Sequence, residues 1–91
     1  MTGMHDWSLK TIKCEWRDSR VTFVFDAPDT ERKIVADGVY DLHIPHANEW
    51  GPSIGVNDAQ ESVAGNGLKK LSIEMQSGDV ITVVATGIVR S

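Results

Sequence analysis

The sequence predicts an all-β domain of about six antiparallel strands, in a meander that forms a half-barrel or small sandwich with little or no helix. Three observations predict it. Apolar residues alternate with polar ones along most of the chain, which is the period of a half-buried strand. The segments between these runs are short, which favours antiparallel neighbours. The chain has 91 residues, and we assign residues 1–91 to one domain because no linker or repeat interrupts them.

The first hairpin is predicted to join residues 10–16 to residues 21–25 through a polar break. The predicted inward faces carry Ile12, Cys14 and Trp16 on the first strand and Val21, Phe23 and Phe25 on the second. Pairing Trp16 with Val21 gives every apolar residue an apolar partner, and such pairs set the register of a hairpin. Cys14 is therefore predicted to be buried as a small hydrophobe, without a redox or nucleophilic role.

The middle of the chain alternates from residue 32 to residue 44. Its predicted inward face consists of Ile34, Ala36, Tyr40, Leu42 and Ile44. Gly38 lies inside this stretch and predicts a bend or bulge, so the stretch forms either one strand or two. Pro45 ends the stretch because it has no N–H to donate to a ladder. Beyond the loop-like segment 45–52, the sequence allows two alternatives, a short strand over residues 53–59 or a helical turn over residues 57–63.

The last hairpin is the clearest element in the sequence. Its alternating apolar sets are Leu71, Ile73 and Met75 on one strand and Ile81, Val83 and Ala85 on the other. The two sets share a face only when the loop has an odd number of residues. We therefore predict a three-residue loop over residues 76–78, with Gly78 in the left-handed conformation. This loop pairs Ile73 with Ile81 and Leu71 with Val83.

Composition and charge exclude several classes of protein. One Cys cannot form an internal disulfide, and no apolar run approaches the roughly 20 residues that span a bilayer. The formal net charge of −4 disfavours nucleic acid and anionic membrane surfaces as partners. The lone Cys and an N-terminus without a secretory pattern predict a cytoplasmic protein.

The candidate binding residues lie in and beside the loop-like segment: His43, His46, Glu49, Trp50 and Asn57. The spacing His43-x-x-His46-x-x-Glu49 suits a transition metal, but Pro45 interrupts it and no further strong ligand is specified. We therefore predict no metal, no cofactor and no catalytic residue. Trp50 either caps the end of the sheet or is an exposed binding anchor, since Trp is enriched at binding hot spots.

Two segments of the chain carry a resemblance. Residues 50–57 match W-G-P-S-x-x-V-N, and residues 71–81 match L-x-I-E-M-Q-S-G-D-x-I. Together with the opening His5-Asp6-Trp7, they resemble a family of small uncharacterised bacterial proteins. The resemblance spans nearly the whole chain and implies a compartment and a size class, but that family has no established function and supplies no mechanism.

We expect a non-enzymatic protein–protein interaction module. The acidic balance suits a basic partner, and an immunity-type inhibitor of a toxin is one form such a module takes. Open sheet edges favour homodimerisation. The alternative is a small-ligand binder or minor enzyme with a pocket near residues 45–53, where apolar walls and a few polar groups would form the site.

Overall fold

The computed structural model describes residues 7–45 and 55–90, which form one sheet of six antiparallel strands. The strands are β1 (Ser8–Glu15), β2 (Arg20–Asp26), β3 (Glu31–His43), β4 (Val56–Val63), β5 (Lys69–Met75) and β6 (Val80–Arg90). Two 3₁₀ turns, Trp16–Asp18 and Gly65–Gly67, join neighbouring strands. The strand order is β1-β2-β3-β6-β5-β4, so two three-stranded meanders meet where β3 pairs with β6. The predicted all-β fold class is confirmed, and the sheet is not closed into a barrel.

The sheet curls so that one face is buried. The core consists of fourteen buried apolar residues: Leu9, Val21, Phe23, Phe25, Ile34, Ala36, Val56, Ala59, Leu71, Ile73, Met75, Ile81, Val83 and Ala85. The curl brings the two edge strands together at one corner, where the Val56 N–H donates to the Trp7 carbonyl at 2.8 Å. Ser8 and Gly55 form an isolated bridge beside this bond. The two sheet halves therefore cover each other's apolar faces.

β3 bends at Gly38. Ala36 is fully buried and Val39 also packs against the core, although residues three apart in a straight strand point to opposite faces. On β6, Ala85 and Ile88 show the same odd spacing. Gly38 takes a φ of +65°, which only glycine adopts without strain. The bend predicted at Gly38 is confirmed, and β3 passes through it as one strand.

A bulge follows the bend and changes the predicted face of β3. The pairing of β3 with β6 shifts between Val39 and Asp41, which leaves Tyr40 as the extra residue. Tyr40 is 71% exposed, so the prediction that it shares the inward face of Ile34 was wrong. A bulge reverses the alternation that the prediction assumed to be continuous.

The first hairpin has the predicted strands but a different register. Cys14 pairs with Val21 and Ile12 with Phe23, which is two residues away from the predicted pairing. Trp16 leaves the ladder because it begins the 3₁₀ turn, and it is 90% exposed. Cys14 keeps the predicted face, opposite Val21, but it is exposed and lies beside the turn of the hairpin. The prediction of a buried Cys14 was therefore wrong.

The second meander resolves the alternatives left open for residues 53–63. β4 is a strand over Val56–Val63, so the helical turn over residues 57–63 is excluded. Val56 is inward and fully buried, as predicted. The last hairpin has the predicted register, with Ile73 opposite Ile81 and Leu71 opposite Val83.

The three-residue loop of the last hairpin is also confirmed. Gly78 has a φ of +96°, and the Met75 N–H donates to the Asp79 carbonyl at 2.8 Å to close the loop. Ser77 Oγ lies 3.1 Å from Asp79 Oδ2, so the loop is braced by its own side chains. Gly78 thus supplies the residue with a left-handed backbone conformation that a three-residue loop requires.

Candidate functional site at the bend of the sheet

A concave surface lies where β3 diverges from β2. The β2–β3 ladder ends at the Arg20–Asp37 pair, and the last backbone bond between them runs from the Val39 N–H to the Ser19 carbonyl at 2.9 Å. Beyond this bond, β3 continues along β6 while the first hairpin turns away. The divergence leaves a cavity of about 460 Å³, which we call the bend groove.

The bend groove has an apolar floor and an aromatic rim. Its lining consists of Cys14, Glu15, Trp16, Ser19, Arg20, Val21, Val39, Tyr40, Asp41 and Leu42. Val21 is buried, while Val39 and Leu42 are half-buried and pack against the core, so the floor is the margin of the core itself. Trp16 and Tyr40 are the most exposed aromatic residues in the described chain, at 90% and 71%.

Local backbone irregularities place the two aromatic residues at the rim. Trp16 begins the 3₁₀ turn, and Ser19 ends it with a φ of +51°. This turn carries the indole out of the β1 ladder. Tyr40 is the extra residue of the β3 bulge, and bulges often redirect a side chain in this way. Both residues would face the core if their strands alternated without interruption.

Charged groups of the bend groove lie on the outer face of the sheet. Asp41 pairs with Val84, whose neighbour Val83 is buried, so Asp41 points away from the core. Glu15 pairs with Arg20, the neighbour of buried Val21. The groove therefore presents apolar side chains on its inner side and charges on its outer side.

The two carboxylates of the groove form no ion pair with a described residue, whereas its arginine is paired. Arg20 Nε lies 2.7 Å from Asp37 Oδ1, and this hydrogen bond raises the pKa of Arg20 above its ordinary value. Neither Glu15 nor Asp41 makes an ion pair with any described residue. A cationic ligand group would gain attraction from both acids, and Arg20 is already compensated.

Two of the predicted site residues lie in the described part of the chain. His43 is the exposed last residue of β3 and pairs with Thr82. Asn57 lies on β4, where its Nδ2 donates to Glu74 Oε1 at 2.8 Å. β6 and β5 lie between the strands that carry them, so the sheet does not bring these two residues together.

The rest of the predicted site, His46, Glu49 and Trp50, lies outside the described residues. Across residues 7–45 and 55–90, His, Cys, Asp and Glu form no group of three that could hold a metal ion. The loop segment therefore stays a prediction, while the described part of the chain offers the bend groove.

The residues of the bend groove were missed by the sequence prediction. Trp16 and Tyr40 follow the alternation of their strands, which assigned both to the core. The available signal was position: Trp16 directly precedes the polar segment 17–20, and Tyr40 comes two residues after Gly38. Aromatic residues beside a turn and a bend leave the pleat more readily than residues in mid-strand.

Comparison with known proteins assigns no family. No protein-family model matches the chain, and no curated protein shows significant similarity to it. In the described part of the chain, no helix has the length and apolar character needed to cross a membrane.

Proposed function

We propose that this protein is a non-enzymatic protein–protein interaction module and that the bend groove is its binding surface. The observation that carries the proposal is the exposure of Trp16 and Tyr40 around an apolar floor. Trp, Tyr and Arg are the residues most enriched at binding hot spots, and Arg20 completes this set in the groove. The aromatic side chains offer large apolar areas that a partner would remove from water.

The net charge of the chain supports a protein partner. The formal charge of −4 favours encounter with a basic protein through complementary potential. An immunity-type inhibitor that neutralises a basic toxin in a bacterial cytoplasm is a specific form of this proposal. The carboxylates of Glu15 and Asp41, which form no ion pair with a described residue, suit such a partner.

Self-association forms part of the same proposal. β1 and β4 are the edge strands of the sheet, and unpaired edges offer hydrogen bonds to a second chain. Sedimentation velocity at micromolar concentration is expected to show a homodimer. A monomer across that range would contradict self-association and leave the binding proposal in place.

A small-ligand binder is the second candidate, and the cavity is the observation that favours it. A volume of about 460 Å³ lies within the range of roughly 300–1,000 Å³ that ligand pockets occupy. Its apolar floor and few polar groups are also typical of such pockets. The exposed rim favours a larger partner, because Trp16 contributes contact area only to a ligand that extends beyond the cavity.

The proposal is tested by peptide selection with a matched control. A displayed library of random peptides is selected on the wild-type chain, and the recovered peptides are titrated against Trp16→Ala/Tyr40→Ala. Loss of two hot-spot residues is expected to weaken binding by at least about 30-fold. The control, Val63→Ala/Val89→Ala, removes two exposed apolar side chains that do not line the groove. Equal affinity for wild-type and Trp16→Ala/Tyr40→Ala proteins would refute the groove as the binding surface.

A further inference from the structure

Resting on this proposed function, we propose that the bend groove binds an extended segment of a partner protein. The segment adds to the free edge of β3 at residues 40–43 and presents an arginine or lysine to Glu15 and Asp41. Backbone pairing, charge and side-chain alternation each define one property of this segment.

The first property is an extended backbone. Asp41, Leu42 and His43 pair with β6 on one side, and β2 pairs with β3 only up to Asp37 on the other. Within the described ranges, no strand occupies the second side of residues 40–43. A strand edge of this kind accepts an added peptide through main-chain hydrogen bonds. Four residues at about 3.3 Å each give a pairing length of roughly 13 Å.

The second property is a positive charge. Glu15 and Asp41 line the groove without an ion pair to any described residue, while Arg20 is engaged by Asp37 at 2.7 Å. A cation next to these carboxylates also lies near the aromatic rim, where ring faces attract it. Arginine fits this position better than lysine, because the guanidinium stacks on aromatic rings and binds carboxylates with two hydrogen bonds.

The third property is a short sequence pattern. The carboxylates belong to the outer side of the groove, whereas Val21, Val39 and Leu42 form its inner side. Successive side chains of an added strand point to opposite sides. A basic residue directed at the outer side therefore has apolar neighbours directed at the floor. The expected segment reads apolar–basic–apolar.

The pattern is tested with synthetic peptides. The probe is an eight-residue acetylated and amidated peptide that contains Val-Arg-Val in a Thr-rich context. One control replaces Arg with Glu, a second carries N-methyl groups on alternate residues to block main-chain pairing, and a third probe is acetyl-arginine amide alone. The parent peptide is expected to bind at least about tenfold more tightly than each of these, and to slow amide exchange at residues 40–43.

Protein variants test the charge recognition. Asp41→Asn is expected to weaken binding of the parent peptide by about fivefold to tenfold, and Glu15→Gln should weaken it by a similar factor. Asp58→Asn is the matched control, because Asp58 is also an exposed strand aspartate but does not line the groove. It should change affinity by less than about twofold. Thermal melting of each variant verifies that it is folded.

The outcomes separate this inference from the proposed function. If peptide affinity falls in Trp16→Ala/Tyr40→Ala but is unchanged in Asp41→Asn and Glu15→Gln, the charge preference is overturned. The proposed interaction module would still stand. Equal binding of the N-methylated peptide would overturn edge pairing. If acetyl-arginine amide binds as tightly as the peptide, the groove is a small-ligand site and the inference fails. If no recovered peptide depends on Trp16 and Tyr40, the proposed function itself fails.

Discussion

Gly38→Ala is the substitution that most directly tests how the sheet bends. Gly38 has a φ of +65°, and a Cβ built there would lie 2.2 Å from Thr86 Oγ1 and 3.1 Å from Thr86 Cγ2. Thr86 Oγ1 also donates a hydrogen bond to the Asp37 carbonyl at 2.9 Å. Any side chain at position 38 must therefore displace the threonine that ties the two bent strands together.

Two contributions give the magnitude. The left-handed backbone costs an L-residue about 1–2 kcal/mol. Displacing Thr86 breaks its hydrogen bond to Asp37, which contributes about 1 kcal/mol. The expected loss in the free energy of unfolding is about 2–3 kcal/mol. In a domain of this size, that corresponds to a fall in Tm of roughly 10–20 °C.

The assay is urea denaturation of four proteins: wild type, Gly38→Ala, Thr86→Ala and the double variant. Because Thr86→Ala removes the colliding Oγ1 and Cγ2 and leaves only Cβ, at 3.2 Å, Gly38→Ala should cost only about 1–2 kcal/mol in that background, close to the backbone contribution alone. Gly87→Ala is the control, since Gly87 faces Asp37 across the ladder without a positive φ and with nothing within 4 Å of its added Cβ. A Gly38→Ala cost no larger than that of Gly87→Ala, or the same with and without Thr86, would refute this account of the bend.

Three further predictions concern other parts of the fold. Gly78→Ala should destabilise the protein by about 1–2 kcal/mol, because position 78 keeps a φ of +96° in the three-residue loop. The control is Gly65→Ala, since Gly65 has no positive φ and an added Cβ there has no neighbour within 4 Å. In thermal melts this control should be nearly neutral. Cys14 is exposed and should react with a thiol reagent in the native state, and a peptide bound in the groove should slow this labelling; an unreactive native thiol would contradict its exposure. The hydrogen bond to Glu31 at 3.1 Å, followed by the charge of Asp26, raises the pKa of Lys10 above its ordinary value of 10.5. The stability that Lys10→Met removes should therefore be constant from neutral pH to about pH 9 and shrink as the pH rises above 10.5, and a difference that grows at alkaline pH would contradict this sign.

The last hairpin shows what the sequence alone can predict. Its two apolar sets constrain the face, the face constrains the loop to an odd length, and Gly78 supplies the residue that such a loop requires. Each local preference agrees with the same register. The observed pairing of Ile73 with Ile81 follows from that agreement.

The first hairpin shows why the same reasoning failed elsewhere. Pairing Ile12 with Phe25 or with Phe23 satisfies the apolar face equally well, so the pattern cannot distinguish registers two residues apart. The 3₁₀ turn decides between them, because it takes Trp16 out of the ladder and leaves Cys14 opposite Val21. A register shift between Leu9 and Thr11 adds an extra residue that periodicity alone does not reveal.

The failure at Trp16 and the failure at Tyr40 have one physical cause. Alternation predicts which face a side chain occupies, but a face is buried only where another part of the sheet covers it. At Gly38 the sheet bends, the first hairpin and β3 separate, and the margin of the core opens as the floor of the bend groove. Trp16 and Tyr40 are displaced from the pleat at this opening by a turn and a bulge. The residues that the apolar pattern misplaced are therefore the ones that the bend exposes. Under the proposed function, Gly38→Ala should weaken peptide binding as well as lower the free energy of unfolding.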